Sequence, residues 1–137
     1  MDKKYPKVVV GCFIRNTQGE ILLVKSYKWP GLWVVMGGHI EWGESIEAAV
    51  IRETKEELGI AVIFDRVIEV AEFVNDPTFH KSKHFVALQC ECHLSDTSQP
   101  PIPDNNEIQE ARWFPLDQAL LLADVLPQTK HTLQKLS

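Results

Sequence analysis

Glu53, Glu56 and Glu57 stand at i, i+3 and i+4 in a segment that reads as helix, so three carboxylates share one face. Like charges at this spacing each cost an isolated helix about 0.2–0.5 kcal/mol. Glu56 and Glu57 also fall in the last turn, where the helix dipole favours cations. Many acidic clusters are solvated faces, and Lys55 shows that part of this helix meets water. A divalent cation would turn both penalties into attraction, and such breaks of local rules concentrate at functional sites. Oxygen ligands for a hard cation point to Mg²⁺, with Mn²⁺ as a substitute.

The elements that must hold these groups are legible around them. The helix runs from about Ser45 to Leu58, with Glu44 or Ser45 at its start and Gly59 as its stop. The apolar run Leu32 to Met36 precedes it as a strand that ends at Gly37-Gly38. Upstream, Lys7 to Ile14 and Glu20 to Ser26 read as strands joined by the Asn16-Thr17-Gln18-Gly19 turn, hence a hairpin. Downstream, Ile60 to Val74 is β-rich with a bend near Asp65-Arg66, and His84 to Leu94 and Ile108 to Phe114 are further strands. Pro115 and Pro127 open two short helices. Strands dominate, with one long central helix, which is α+β rather than alternating βαβ.

The spacing from Gly38 resembles the Nudix box, G-x5-E-x7-R-E-U-x-E-E-x-G-U with U a bulky aliphatic. Gly38, Glu44, Arg52, Glu53, Glu56, Glu57, Gly59 and Ile60 all match, and Thr54 departs where the family carries an aliphatic residue. Thr54 can still pack its methyl group, so a small local packing change is expected. The resemblance implies an α/β/α sandwich with a mixed sheet, spanning residues 1–137 as one domain. It also implies a Mg²⁺-dependent pyrophosphohydrolase that cuts a phosphoanhydride bond in a nucleoside diphosphate linked to another group. The metal set it implies is Gly38, through its carbonyl, with Glu53, Glu56 and Glu57. Arg52 and Glu44 then hold the box in shape, and Glu53 or Glu107 accepts a proton from water.

Substrate contacts are spelled out less fully. Lys25 closes the strand Ile21 to Lys25 and is placed as a phosphate contact, with Arg15 a weaker one; Lys81 and Lys83 are of the same kind. Trp29 and Phe79 lie in loops and could stack on a base, whereas Trp33 lies in an apolar strand and reads as core. Glu107 precedes the strand that ends in Trp113-Phe114, with Glu110 as its competitor. His39 and His84 take no role. The proline-bearing loop from Ser95 to Asn106 connects strands and could form a substrate rim. Nucleoside or deoxynucleoside triphosphates are the expected substrates. ADP-ribose or a nucleotide sugar is the alternative, and a non-catalytic nucleotide sensor is the reading from another class.

Bulk properties narrow the field. The chain has 137 residues, 45% hydrophobic and 24% charged, within the range of one globular domain. A net charge of −5 argues against a stable nucleic-acid complex through a basic surface. It leaves room for a small nucleotide partner, since metal ions bridge acidic protein and anionic substrate. No apolar run is long enough to cross a bilayer, and the basic opening reads as a first strand of a cytoplasmic protein. Of the three cysteines, Cys90 and Cys92 alternate on a strand and read as core packing rather than a zinc pair. Nothing in the sequence decides between a monomer and a homodimer.

Overall fold

The computed structural model describes residues 3–96 and 98–136. The elements follow the order β1 (Lys7–Arg15), β2 (Ile21–Ser26), β3 (Trp33–Val34), β4 (Met36–His39), α1 (Ile46–Leu58), β5 (Val62–Val74), β6 (His84–Leu94), β7 (Ile108–Phe114), α2 (Leu116–Leu121) and α3 (Pro127–Leu133). The main path of the sheet is β3-β2-β1-β6-β5, with β4 paired to β1 and β7 paired to β2. The β1–β6 pair is parallel and the other pairs are antiparallel, so the sheet is mixed, as expected.

The expected hairpin of β1 and β2 is present only at its turn. The two strands share the single pair Arg15–Ile21 and then part. Hydrogen bonding explains this: β4 and β6 occupy the two edges of β1, and β3 and β7 occupy those of β2. The parting opens the sheet between the two strands. The bend expected near Asp65-Arg66 is a register shift between Phe64 and Arg66.

Alternation along β1 sends its side chains to two cores. Val10, Cys12 and Ile14 pack with Ala49, Val50 and Leu58 of α1, together with Cys90 and Cys92. Phe13 joins Ile21, Leu23, Trp33, Phe114 and Leu133 on the other side, beneath α2 and α3. The sheet is therefore a layer between helices. Each fully buried Leu, Ile or Phe contributes about 1.5–3 kcal/mol. The three cysteines are free and buried. No helix of the described residues is long and apolar enough to cross a membrane.

Helix α1 is fixed at both ends. The Ser45 hydroxyl accepts from the Ala48 N–H at 3.0 Å, and Gly59 takes the left-handed conformation at φ 66° that ends the helix. The long loop adds a clasp, with the Ile102 N–H donating to the Leu58 carbonyl. Thr54 is fully buried, and its hydroxyl donates to the Val50 and Ile51 carbonyls at 2.9 and 3.0 Å. The hydroxyl thus satisfies itself on its own helix while the methyl group packs.

Candidate active site

The α1 face that carries the acidic triplet meets the end of β4. Arg52 binds this junction. Its Nε and Nη2 fork onto Glu44 at 2.7 and 2.9 Å, its Nη1 reaches Glu53 at 2.8 Å and Glu56 at 3.2 Å, and Nη2 also donates to the His39 carbonyl. One planar guanidinium thereby joins the loop before the helix to two carboxylates of the helix. Glu44 accepts in addition from the Glu41 N–H. The Arg52 hydrogen bond, then the Glu41 N–H, hold the Glu44 carboxyl down at about 2.

Gly38 sits against Glu53 so closely that a Cβ at this position would collide with the Glu53 carboxylate. The missing side chain is what lets the β4 backbone meet an acidic group. Glu53 and Glu57 are buried polar residues, whereas Glu56 is exposed. Burial raises the Glu53 carboxyl against the opposing pull of Arg52. Glu57 is pushed up to about 10, first by burial and then by its hydrogen bond to Glu107 and the charges of Glu107 and Glu53. Glu57 Oε2 is buried with no hydrogen-bond partner.

Glu107 closes the site from the other side. Asp104 accepts from the N–H groups of Asn106, Glu107 and Ile108 at 2.9–3.0 Å and so fixes the loop that presents it. Lys28 Nζ contacts Glu107 Oε1 at 2.9 Å. The Glu57 hydrogen bond holds the Glu107 carboxyl low, and Lys28 adds to this against the opposing effect of burial.

These acidic groups line a cleft of about 310 Å³ with Arg52, Lys28 and Asn106 on its rim. An adjoining pocket of about 130 Å³ is largely apolar. Trp29, Phe79, Phe73 and Phe85 form one of its walls, with Trp29–Phe79 ring centroids 4.7 Å apart. Lys28, Gly38, His39, Glu57 and Glu107 border both spaces.

The oxygen-rich set fits a hard divalent cation on two observations of geometry. Glu57 carries an orphaned buried oxygen, and the Gly38 backbone lies beside Glu53 only because no Cβ intervenes. Among the described residues, no three acidic, histidine or cysteine side chains are placed together so as to hold a metal ion as they stand. Arg52 engages Glu53 and Glu56, and Lys28 engages Glu107.

The structure brings together Gly38, Arg52, Glu53, Glu56, Glu57, Glu107, Trp29 and Phe79 around the two spaces, with Glu44 behind Arg52. Lys25 and Arg15 are elsewhere, and the correction has a period-two cause. Lys25 follows Ile21 and Leu23 onto the face of the second core, where its Nζ contacts the Gly31 carbonyl at 3.2 Å and Asp124 at 3.3 Å and lies over Trp33. Arg15 donates to the Leu136 carbonyl at 2.7 Å and pairs with Glu91 at 2.9 Å. Lys28, and not Lys25, borders the acidic cleft. A register shift at Lys25/Ser26, the Tyr27 N–H bond to the Glu107 carbonyl, and the Lys28 N–H bond to Ser26 Oγ turn it inward. No strand periodicity announces that turn.

The chain and its fold have counterparts among known proteins. The NUDIX domain profile matches residues 5–136. The chain is 33% identical over 116 residues to the NAD-capped RNA hydrolase NudC of Pseudomonas aeruginosa, covering 83% of this chain and 38% of that protein. It therefore spans about two fifths of the length of that relative. The crystal structure of a MutT NUDIX hydrolase from Burkholderia pseudomallei superposes with a TM-score of 0.80 at 29% identity, covering 98% of this chain and 100% of the other. The C. elegans Ap4A hydrolase superposes with a TM-score of 0.71 at 25% identity, covering 96% of each chain.

Proposed function

The chain belongs to the Nudix family, and from that premise we propose that it is a Mg²⁺-dependent pyrophosphohydrolase acting on a nucleotide. The observation that carries this reading is the pairing of an acidic cleft with an aromatic-walled pocket across the shared border of Lys28, Glu57 and Glu107. A diphosphate suits the first space once a cation is present, and a flat base suits the second. The favoured substrate is a nucleoside or deoxynucleoside triphosphate, split into nucleoside monophosphate and pyrophosphate.

Glu53, Glu56 and Glu57, with the Gly38 carbonyl, would hold the cation. When bound, it offsets the diphosphate charge, polarises a phosphoryl oxygen and makes water a better nucleophile at neutral pH. The remaining work falls to the chain. Arg52 orients Glu53 and Glu56 and ties them to the Glu44 loop. Lys28 faces the same cleft and supplies positive charge for a phosphate oxygen. Water attacks phosphorus, its oxygen forms the new bond, the anhydride oxygen leaves, and Glu53 or Glu107 takes the proton. Asp104 keeps Glu107 in place for this through its three backbone bonds.

A second reading is favoured by the likeness to an NAD-capped RNA hydrolase and an Ap4A hydrolase, whose names describe nucleotides with a further nucleoside beyond the phosphates. A panel of nucleoside triphosphates, ADP-ribose, nucleotide sugars and dinucleoside polyphosphates with Mg²⁺, scored for product release, separates these substrates. Tight nucleotide binding with no hydrolysis of any member would overturn the enzyme reading in favour of a sensor.

A further inference from the structure

Two largely buried polar side chains of the apolar pocket take no part in the proposed chemistry or in the packing of its loops. Gln89 on β6 is only 3% exposed and Thr129 on α3 only 2%, and both line the pocket that Trp29 and Phe79 wall. No side-chain hydrogen bond is seen for either among the described residues, and neither has a polar atom sealed off from open space without a partner, so both keep contact with the pocket. Most largely buried amides and hydroxyls in folded proteins are paired within the protein, so two that instead face one pocket are free to pair with a ligand.

The backbone is arranged to admit the amide. Gly11 on β1 pairs directly with Gln89 on β6. A Cβ on Gly11 would collide with Gln89 Oε1, so this glycine makes the space in which the amide lies. The nearest neighbour of that missing Cβ is the end of a flexible side chain, not backbone, so the glycine serves the position of the amide and not the pairing of the strands.

We propose that Gln89 and Thr129 are the specificity-determining residues of the pocket, reading the polar edge of a nucleobase stacked against Trp29 and Phe79. An amide offers an acceptor and donors side by side, which matches a ring edge carrying a donor beside an acceptor. The Thr129 hydroxyl supplies a further donor or acceptor. An apolar pocket with a few polar groups aimed inward binds by its walls and selects by those groups. A ligand without the matching edge leaves both groups unpaired, which is the basis of strong discrimination. The inference rests on the reading of this cleft as a nucleotide site, and it assigns the selection step within it.

The test is equilibrium binding by calorimetry in Mg²⁺, with AMP, GMP, CMP and UMP against ribose 5-phosphate as the base-free probe. The wild-type chain should bind at least one monophosphate about ten-fold or more tighter than ribose 5-phosphate. Gln89→Met and Thr129→Val, which keep size and remove hydrogen-bonding groups, should each shrink that ratio several-fold while leaving ribose 5-phosphate binding unchanged. Gly11→Ala keeps both polar groups and displaces the amide, so it should act like Gln89→Met. Retention of the wild-type ratio by all three variants would overturn the proposal, as would a wild-type chain with no preference for the base. Equal weakening of monophosphate and ribose 5-phosphate binding would overturn it too, by marking the residues as structural. Because binding is the readout, base selection without hydrolysis would leave this inference standing and remove the proposed activity.

Discussion

The two adjoining spaces are built on opposite principles. One side of the acidic cleft is local in sequence: Gly38, Glu44, Arg52, Glu53, Glu56 and Glu57 lie within one strand, one loop and one helix, and Lys28 and the Glu107 loop close it from afar. Its groups repel one another; a single guanidinium engages Glu44, Glu53 and Glu56, and burial pushes the Glu57 carboxyl up towards its neutral form. The apolar pocket is assembled from β1, β6, the chain after β2, the loop before β6 and α3. Its wall is aromatic packing, and of its polar groups Gln89 and Thr129 have no side-chain hydrogen bond among the described residues. On the proposed reading, bond cleavage and base recognition would fall to two adjoining spaces, joined at Lys28, Glu57 and Glu107, that could be altered separately.

Glu57→Gln is the sharpest way to break the acidic side. Turnover should fall by about a thousand-fold or more, since a removed anionic ligand takes metal-derived catalysis with it. Monophosphate selectivity in the apolar pocket should persist. Near-normal steady-state turnover in this variant would remove Glu57 from the metal set.

Arg52→Ala should come next, lowering metal affinity or activity by about 10–100-fold, as for other groups that orient ligands. Arg52→Lys should rescue little, because one ammonium cannot fork onto Glu44 and also reach Glu53. Metal titration followed by kinetics checks this, and full activity in the lysine variant would mean that charge alone suffices.

Lys28→Met should raise KM about ten-fold with a smaller change in kcat. Lys25→Met should leave both within about two-fold while lowering the melting temperature slightly, through loss of its contacts with Asp124 and Gly31. The reverse ranking would restore Lys25 as the phosphate contact.

The boundary between what could and could not be read from sequence follows the same contrast. The box was readable because a helix fixes the positions of residues three and four apart, and Gly38, Ser45 and Gly59 mark the ends of the elements. The strands followed from apolar runs and turns, and the mixed sheet between helices followed from the family resemblance. The separation of β1 from β2 was not legible, because it depends on which strands compete for the β1 edges. Lys25 lies away from the cleft although its alternation with Ile21 and Leu23 was visible, because the sequence does not say which face of the sheet holds the cleft. Lys28 owes its place to a bulge, and Gln89 to a glycine on a strand 78 residues away. Contacts of that range leave no mark in local periodicity.

A smaller effect should appear in stability against pH without metal. Glu57 is held above its ordinary value, so the folded state binds the extra proton between about 4.5 and about 10. By linkage, this contribution is full below about 4.5 and is lost as pH rises towards about 10. Denaturant unfolding across that range should show a decline that Glu57→Gln flattens.

The most direct measurement of the central claim is thermal melting of the wild type and Glu57→Gln at pH 8, each with and without Mg²⁺. The account predicts that the glutamine variant is at least as stable as the wild type without metal, because it removes the cost of a crowded buried carboxylate. Mg²⁺ should then raise the wild-type melting temperature and leave that of the variant unchanged. An equal Mg²⁺ shift in both proteins, or a variant that melts well below the metal-free wild type, would contradict it.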